Sequence, residues 1–305
     1  YNFSKPFFEQ LNELWHEVPL LGLTIDLQAA ESSPYNNYAG YIKNSYLTFH
    51  AAYNEDSAYG MEVSYSKSVV DCSLIGHSEL CYDLINSFKN SRFVSSRNIV
   101  ESLQCFFLRD SYNCQNSFAS ANLRGKKYYI FNKPYSKEDY VKEVKRWDLG
   151  SYKTYQAIKT EAEKHWKNFP AKPEYKEFSI HSTGSYIFQS KNCKECYEVI
   201  GAENSKFIFM CTYPGIKDCY DISSWGENME LCYESVNCGE NAYNLKFCLS
   251  GWEAASDSEY SILNHGSSNL FGCISVRNGE YAILNKKYSK KDYEKLKAKI
   301  VPHMD

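Results

Sequence analysis

The stretch FASANLRGKKYYIFNKPYSKEDY, residues 118–140, has a counterpart in FGCISVRNGEYAILNKKYSKKDY, residues 271–293. The two stretches keep 11 of 23 residues and stand 153 positions apart in a chain of 305 residues. A shorter echo precedes each half, because LWHEVP ends at Pro19 and HWKNFP ends at Pro170. These repeats indicate an internal duplication into residues 1–150 and 151–305, each about the size of one ordinary domain.

Each copy of the repeated stretch predicts a closing strand followed by a short helix. YYIF and YAIL are strand-like, and the Ser136–Asp139 and Ser289–Asp292 pairs that follow have the spacing of a helix-capping box. Two longer amphipathic helices are predicted over 4–18, with Ser4 as a possible N-cap, and over 152–168, because apolar residues recur there at helical spacing. The helices are therefore expected at the ends of each half.

The segments between these helices have a different pattern, in which short apolar or aromatic stretches are separated by polar residues. The apolar centres of the first half are spaced 13, 11, 12, 11, 13, 12 and 10 residues apart. They are Tyr46, Tyr59, Val70, Tyr82, Phe93, Phe106, Phe118 and Tyr128. The second half has similar spacings. A period near twelve residues, with strands of three or four, is typical of a β-solenoid.

We therefore predict an all-β protein with short helical caps, built as a tandemly duplicated β-solenoid, or β-helix. The coils have either about 12 residues or about 23, the latter with two faces. The aromatic centres are expected to point inward, beside small Cys, Ser and Ala residues. Because the ends of a solenoid expose unpaired strand edges, each half needs its own covering helix.

Acidic residues directly follow several of these centres and form the candidate metal site. They are Asp71, Asp83, Glu198, Asp221 and Glu234. Stacked coils lie about 4.8 Å apart, so short coils place Asp71 over Asp83 and Asp221 over Glu234, whereas long coils place Glu198 over Asp221. Such pairs predict weak Ca²⁺ binding. The alternative is a solvated face neutralised by interleaved lysines.

Composition narrows the classes of function and location. A formal charge of −3 gives no electrostatic drive for strong nucleic-acid binding, and no apolar run is long enough for a membrane span. Of the 12 cysteines, four lie in the first half and eight in the second, and only Cys81 and Cys232 align between the halves. We therefore expect free buried thiols, a cytoplasmic location and no zinc site, since Cys193 and Cys196 form an isolated CxxC.

The chain resembles an uncharacterised family of hypothetical bacterial proteins from environmental genomes. The shared stretches are FSKPFFEQ (3–10), ELCYD and ELCYE (79–83 and 230–234), residues 271–293, and VPHM (301–304). Members combine a zinc-ribbon-like N-terminal segment, which has no counterpart in these 305 residues, with a Cys/Asn/Tyr-rich repeat region. The resemblance implies no established activity and contributes no catalytic residues.

The predicted function is a non-enzymatic, rigid binding or scaffolding module with a protein or polysaccharide partner. The alternative is a carbohydrate-active enzyme, a glycoside hydrolase or lyase on a β-helix, in which paired carboxylates act on a sugar. The sequence has no nucleophile elbow, phosphate-binding loop or dinucleotide fingerprint.

Overall fold

The computed structural model describes residues 1–25, 27–200, 209–211, 220, 222 and 257–304. It divides into two compact units, one formed by Leu21–Ala171 and the other by Tyr1–Leu20 together with Lys172–Asp305. Each unit contains a parallel β-coil with helices at its C-terminal end, which confirms the predicted β-solenoid class.

The unit Leu21–Ala171 contains thirteen strands, a 3₁₀ turn at Leu27–Ala29 and two helices. The strands are β1 Ala30–Glu31, β2 Asn37–Lys43, β3 Tyr46–Glu55, β4 Ala58–Ser64, β5 Lys67–Val70, β6 Ser73–Gly76, β7 Glu79–Phe88, β8 Ser91–Val100, β9 Leu103–Phe106, β10 Arg109–Tyr112, β11 Gln115–Phe118, β12 Lys127–Ile130 and β13 Lys133–Pro134. The helices are α2 Lys137–Lys145 and α3 Tyr152–Trp166. Every parallel strand pair in this unit joins residues 12 apart, such as Val70 with Tyr82. The coil therefore has 12 residues, not 23.

Within each coil the backbone repeats every three residues. Tyr41, Asn44, Leu47 and His50 all have a positive φ, between 48° and 54°, and the same conformation returns at every third position around the coil. The residue after each of these corners points inward, as Ile42 does after Tyr41. Such φ values cost a non-glycine residue roughly 1–2 kcal/mol, which the continuous hydrogen-bond ladder between coils offsets.

This three-residue period corrects the prediction that the aromatic centres fill the interior. Simple strand alternation would place Tyr46, Tyr59 and Tyr82 inside, but they are 40%, 54% and 37% exposed. Of the eight predicted centres only Phe93 is fully buried inside the coil, since Phe118, which is also fully buried, lies beneath α3. Four inward positions in a 12-residue coil enclose too little space for a ring on every rung, so small residues occupy most of them.

Buried serines satisfy the polar groups of this narrow interior. The Ser78 hydroxyl donates to the carbonyl of Gly76 at 3.0 Å and accepts from the backbone N–H of Asn90, on the next coil, at 3.3 Å. The same pair of hydrogen bonds, one donated and one accepted by the hydroxyl, recurs at Ser87, Ser96 and Ser111. A buried hydroxyl without partners would be destabilising, so this arrangement explains why serine is tolerated inside.

The unit ends as the repeated stretch predicts. Strand β13 pairs antiparallel with β12, and α2 follows with the Ser136 hydroxyl accepting from the N–H of Asp139 at 3.0 Å. Helix α3 then packs Tyr155, Ile158 and Trp166 onto the last coils. The edge of the last coil is covered by β13 and by α2, whose Tyr140 packs against Tyr128 of β12, while α3 lies along the side of the coils.

The second unit has seven described strands and two helices. The strands are β14 Lys176–Glu177, β15 Gly184–Phe188, β16 Cys196–Ile200, β17 Phe209–Cys211, β18 Ser268–Phe271, β19 Glu280–Ile283 and β20 Lys286–Lys287. The helices are α4 Lys290–Ile300, which continues into a 3₁₀ turn at Val301–His303, and α1 Phe7–Glu17. Its parallel strand pairs are 12 residues apart except the first, where Lys176 and Ile187 are 11 apart. Ser289 caps α4 as Ser136 caps α2.

The contacts of the two long helices differ from the predicted division at residue 150. That division joined each long helix to the solenoid that follows it in sequence. Instead, Phe7 of α1 packs against Phe271 and Ile283 of the second solenoid, while α3 packs on the first. Apolar packing decides the assignment, because each long helix packs on the outer surface of the later coils of a solenoid and not on the first coils of the next one.

Candidate interaction surface

Helix α3 lies along the outside of the first solenoid. The surface beneath it, which we call the seat of α3, shows what kind of element the solenoid can bind. Tyr155 is 5.7 Å from Tyr82 and 5.7 Å from Phe107, measured between ring centroids. Further along the helix, the indole N–H of Trp166 donates to the carbonyl of Phe107 at 3.2 Å. Lys159 pairs with Asp83, Glu163 lies 3.6 Å from Arg97 one coil later, and the carbonyl of Phe169 accepts from Arg109 at 3.2 Å another coil on, so the helix follows the solenoid axis across several coils.

The carboxylate of Asp83 anchors the first turns of α3. One of its oxygens accepts from Lys159 Nζ at 2.5 Å, from the Ser95 hydroxyl at 2.6 Å and from the Tyr155 hydroxyl at 2.7 Å. Burial is the largest single influence on the pKa of Asp83 and raises it, because it favours the protonated acid. The hydrogen bonds from Lys159, Ser95 and Tyr155 together outweigh burial, so the pKa of Asp83 is lowered. Asp83 is therefore a charged structural anchor at neutral pH.

The structure brings Asp71 to the equivalent corner one coil earlier. Val70 pairs with Tyr82, so Asp71 directly precedes Asp83 along the solenoid axis, as predicted for a 12-residue coil. Asp71 is exposed, and among the ion pairs of the described residues none includes it. Burial, followed by the carboxylates of Asp71 and Asp83, raises the pKa of Tyr82.

The other predicted metal ligands are not placed. Strand β16 contains Glu198, but the side chain of Glu198 and all of Asp221 and Glu234 lie outside the described residues. Within the described part of the chain, no three His, Cys, Asp or Glu side chains converge on a common point. Calcium binding stays a prediction, and at the Asp71–Asp83 pair Lys159 already neutralises one of the two carboxylates.

Beyond the N-terminal end of α3, the same side of the solenoid is uncovered. We call this surface the open face and define it by Tyr35, Tyr46, Phe49, Tyr59, Met61, Val70 and Asp71. Tyr35, Phe49 and Met61 are 69%, 41% and 46% exposed. Tyr46 packs edge-on against both Tyr35 and Tyr59, at 5.7 and 5.8 Å. These edge-to-face contacts hold the aromatic side chains in fixed positions.

A second group of aromatic side chains forms a stacked ladder at another corner. Tyr41, Tyr53, Tyr65 and His77 follow one another at 4.7, 4.7 and 4.9 Å between ring centroids, with interplanar angles of 6°, 9° and 4°. Each ring inside the ladder therefore has both flat faces covered by its neighbours and presents only its edge to solvent. This ladder stabilises coil stacking but offers no platform for a flat ligand.

The surface between the ladder and the open face is charged instead of aromatic. Lys43 pairs with Glu31 at 3.2 Å, and Lys67 pairs with Glu55 at 2.9 Å, each across one coil. The four side chains are between 42% and 66% exposed, so each pair adds little to stability. Opposite charges on successive coils favour the observed register over shifted ones.

The cysteines whose side chains the structure describes lie inside the solenoids. Seven are buried free thiols, and they are Cys72, Cys81, Cys105, Cys114, Cys193, Cys196 and Cys273. The Cys72 thiol donates to the carbonyl of Val70 at 3.3 Å. Burial is the main cause that raises the pKa of Cys72 to about 11 and that of Cys81 to about 12. These thiols are protonated and unreactive at neutral pH.

Comparison with known proteins gives no functional lead. No family model matches the chain, and no curated protein matches it. Among solved structures it is similar to one described as a candidate acetyltransferase from Desulfovibrio desulfuricans G20, with 10% identity over 96% of this chain and 82% of that one. The TM-score of 0.16 is too low for this similarity to bear on fold or function.

A bilayer-crossing helix is not found among the residues that the structure describes. The feature that sequence reasoning missed is the open face, since its tyrosines were assigned to the core. The signal that could have pointed to it is the 12-residue return of Tyr41, Tyr53 and Tyr65 in the ladder, which gives the coil length and separates tyrosine positions from those of small residues such as Ser66 and Ser78.

Proposed function

We propose that the chain is a non-enzymatic, rigid binding module that holds a partner protein on the open face. The observation that carries this proposal is the exposure of Tyr35, Phe49, Tyr59 and Met61 together on one side of a regular solenoid. Contiguous exposed apolar side chains mark interaction sites, whereas isolated ones are ordinary. Aromatic residues and methionine are also enriched at protein interfaces.

The solenoid makes this surface rigid before a partner arrives. Tyr46 and Tyr59 stand on successive coils whose backbones are paired through Tyr46 and Ala58. Tyrosine adds a large contact area with few rotatable bonds, so little side-chain entropy is lost when a partner binds. A preformed aromatic surface on a stiff support suits a scaffolding role.

The ladder gives no support to the carbohydrate-active alternative. A sugar ring that stacks on an aromatic side chain needs the flat face of that ring, and the faces of Tyr53 and Tyr65 are covered by their neighbours. The carboxylate of Asp83 is also held by Lys159 rather than directed toward an open cleft.

The proposal is tested by substituting the open face and a matched position. Tyr59→Asn combined with Met61→Ser removes two exposed apolar side chains, and Asn tolerates the positive φ of 55° at residue 59. Tyr41→Asn is the control, because Tyr41 is 60% exposed and also has a positive φ. Immobilised wild-type chain and both variants are compared for cross-linked protein partners and for polysaccharide binding and cleavage.

We expect the same proteins to be retained by wild type and by Tyr41→Asn, and to be lost from the open-face variant. Equal retention by all three would contradict the proposal. Cleavage of a polysaccharide that disappears in Asp71→Asn would instead support the enzymatic alternative.

A further inference from the structure

We infer that the open face accepts a lysine-bearing amphipathic α-helix of a partner protein, laid along the solenoid axis in line with α3. This inference rests on the proposed binding function and names the chemistry of the partner. It follows from the continuity of the open face with the seat of α3 and from the exposed carboxylate of Asp71.

The continuity is visible in one row of side chains, one from each coil. The row is Tyr46, Ala58, Val70, Tyr82, Val94, Phe106, Phe118 and Ile130. Its last four members lie in the cluster that packs against α3, and Tyr82 contacts Tyr155 at the beginning of that helix. The first three members belong to the uncovered coils. The surface that holds α3 therefore continues past the point where α3 begins.

The charged corner beside this row repeats as well. Asp83 receives Lys159 and Tyr155, which stand four residues apart on α3 and so point the same way. Asp71 occupies the same corner one coil earlier and is exposed. In α3, Tyr155 packs against the row and Lys159 pairs with Asp83. A partner helix with an aromatic residue four positions before a lysine could make the same two contacts, with the row and with Asp71.

The dimensions fit a short helix. Three coils at about 4.8 Å each span roughly 14 Å, which corresponds to about nine residues of α-helix at 1.5 Å per residue. A partner β-strand is a poorer fit, because the strands beneath the open face are hydrogen-bonded to neighbours on both sides, as β3 is to β2 and β4. Addition of a strand requires an unpaired sheet edge.

The probe for this inference is the helix that already fits such a surface. A fluorescent peptide with the sequence of residues 151–160, which matches the length of the open face, is held helical by a staple between positions 156 and 160, because an isolated helix of this length is marginal in water. Gln156 and Thr160 are both exposed in α3, so the staple avoids the packed side. Fluorescence anisotropy measures binding of the peptide to the full chain.

We expect saturable binding with a dissociation constant on the order of 100 µM. Met61→Glu and Asp71→Lys should each weaken binding about tenfold or more, and Tyr41→Asn should leave it unchanged. The peptide with Lys159→Glu should bind the wild-type chain at least about tenfold more weakly. The same peptide should regain affinity for the Asp71→Lys chain, and this recovery by charge exchange does not occur if a variant has simply unfolded.

Two outcomes would overturn the inference. If Asp83→Lys weakens binding of the peptide and Asp71→Lys does not, the peptide displaces α3 from its own seat instead of binding beside it. Absence of binding, while partner proteins are still lost from the Tyr59→Asn, Met61→Ser chain, would reject a helical partner and leave the proposed binding function intact.

Discussion

The side-chain amide of Asn132 forms two hydrogen bonds with the backbone of Ala121, accepting from its N–H at 2.9 Å and donating to its carbonyl at 2.7 Å. Asn285 makes the same pair of bonds with Ile274, both at 2.8 Å. In each unit the asparagine amide thus replaces the backbone of a further coil that the chain does not form. This explains the repeated Asn-Lys at the start of NKPYSKEDY and NKKYSKKDY.

Replacing Asn132 with glycine should lower the free energy of unfolding by roughly 1–3 kcal/mol, because the N–H and carbonyl of Ala121 lose their partner. Glycine is chosen since Asn132 has a φ of 61°, which glycine adopts without strain. Asn113→Gly is the control at an exposed corner with a φ of 49°. Urea denaturation of both variants tests this, and equal stability of Asn132→Gly and wild type would refute the end-capping role.

The two serine caps give a second prediction. The hydroxyls of Ser136 and Ser289 accept from the N–H of Asp139 and Asp292, at 3.0 and 3.2 Å. Replacing either serine with alanine should cost about 0.5–2 kcal/mol. Ser4→Ala is a suitable control, because the structure shows Pro6 and not Ser4 at the beginning of α1, and the Ser4 hydroxyl donates to the side-chain oxygen of Asn2 instead of capping the helix. Thermal melts that show no loss for both cap variants would reject these caps.

The Asp83–Lys159 pair should make stability depend on pH. The pKa of Asp83 is lowered in the folded state, so the pair stabilises the protein above the unfolded pKa near 3.8 and loses its effect as pH falls through the lower folded pKa. A double-mutant cycle with Asp83→Asn and Lys159→Met should give a coupling of about 1–3 kcal/mol at pH 7. The coupling should be smaller at pH 3. A coupling that is zero at pH 7, or constant with pH, would contradict this account.

The closing elements of each unit could be predicted from sequence because their signals are local. Ser136 and Asp139 show their capping role by spacing alone, and YYIF shows a strand by composition. The number of residues per coil was left open between 12 and 23, yet Lys43, Glu55, Lys67 and Glu79 alternate in charge at 12-residue intervals. Opposite charges that meet across coils require the shorter period.

The aromatic surface could not be predicted in the same way. A recurring tyrosine is assigned to the core when side chains are assumed to alternate along a strand, and the positive φ at every third residue removes that alternation. The seat of α3 depends on contacts across more than 70 residues of sequence, such as Asp83 with Tyr155. No local pattern encodes such a pair.

Burial of the thiols gives a further prediction. Because burial raises the pKa of Cys72 and Cys81 to about 11 and about 12, the folded protein should react slowly with a thiol reagent at pH 8. Denatured, unreduced protein should show most of its 12 cysteines as free thiols. Mass spectrometry after alkylation measures both states. A majority of disulfides in the denatured sample would contradict the free-thiol prediction and the reducing location predicted from it.

The last prediction concerns calcium at the Asp71–Asp83 pair. Two carboxylates on adjacent coils should bind Ca²⁺ only weakly, near the millimolar end of the range seen in proteins. In the wild-type chain Lys159 competes for Asp83, since its ammonium lies 2.5 Å from the carboxylate. Lys159→Met should free that carboxylate and remove a nearby positive charge. Calcium at about 10 mM, on the order of ten times such a dissociation constant, should therefore raise the melting temperature of Lys159→Met more than that of wild type.

The melting temperature of each variant is compared with and without calcium, so the stability lost with Lys159 cancels from the comparison. Asp71→Asn in the Lys159→Met background serves as the control and should abolish the shift, because it leaves Asp83 alone. Magnesium should have a smaller effect, since it demands regular octahedral geometry and gives up its water reluctantly. If calcium leaves the melting temperature of Lys159→Met unchanged, Asp71 and Asp83 bind no calcium. Binding of a partner lysine then becomes the better explanation for the exposed charge of Asp71.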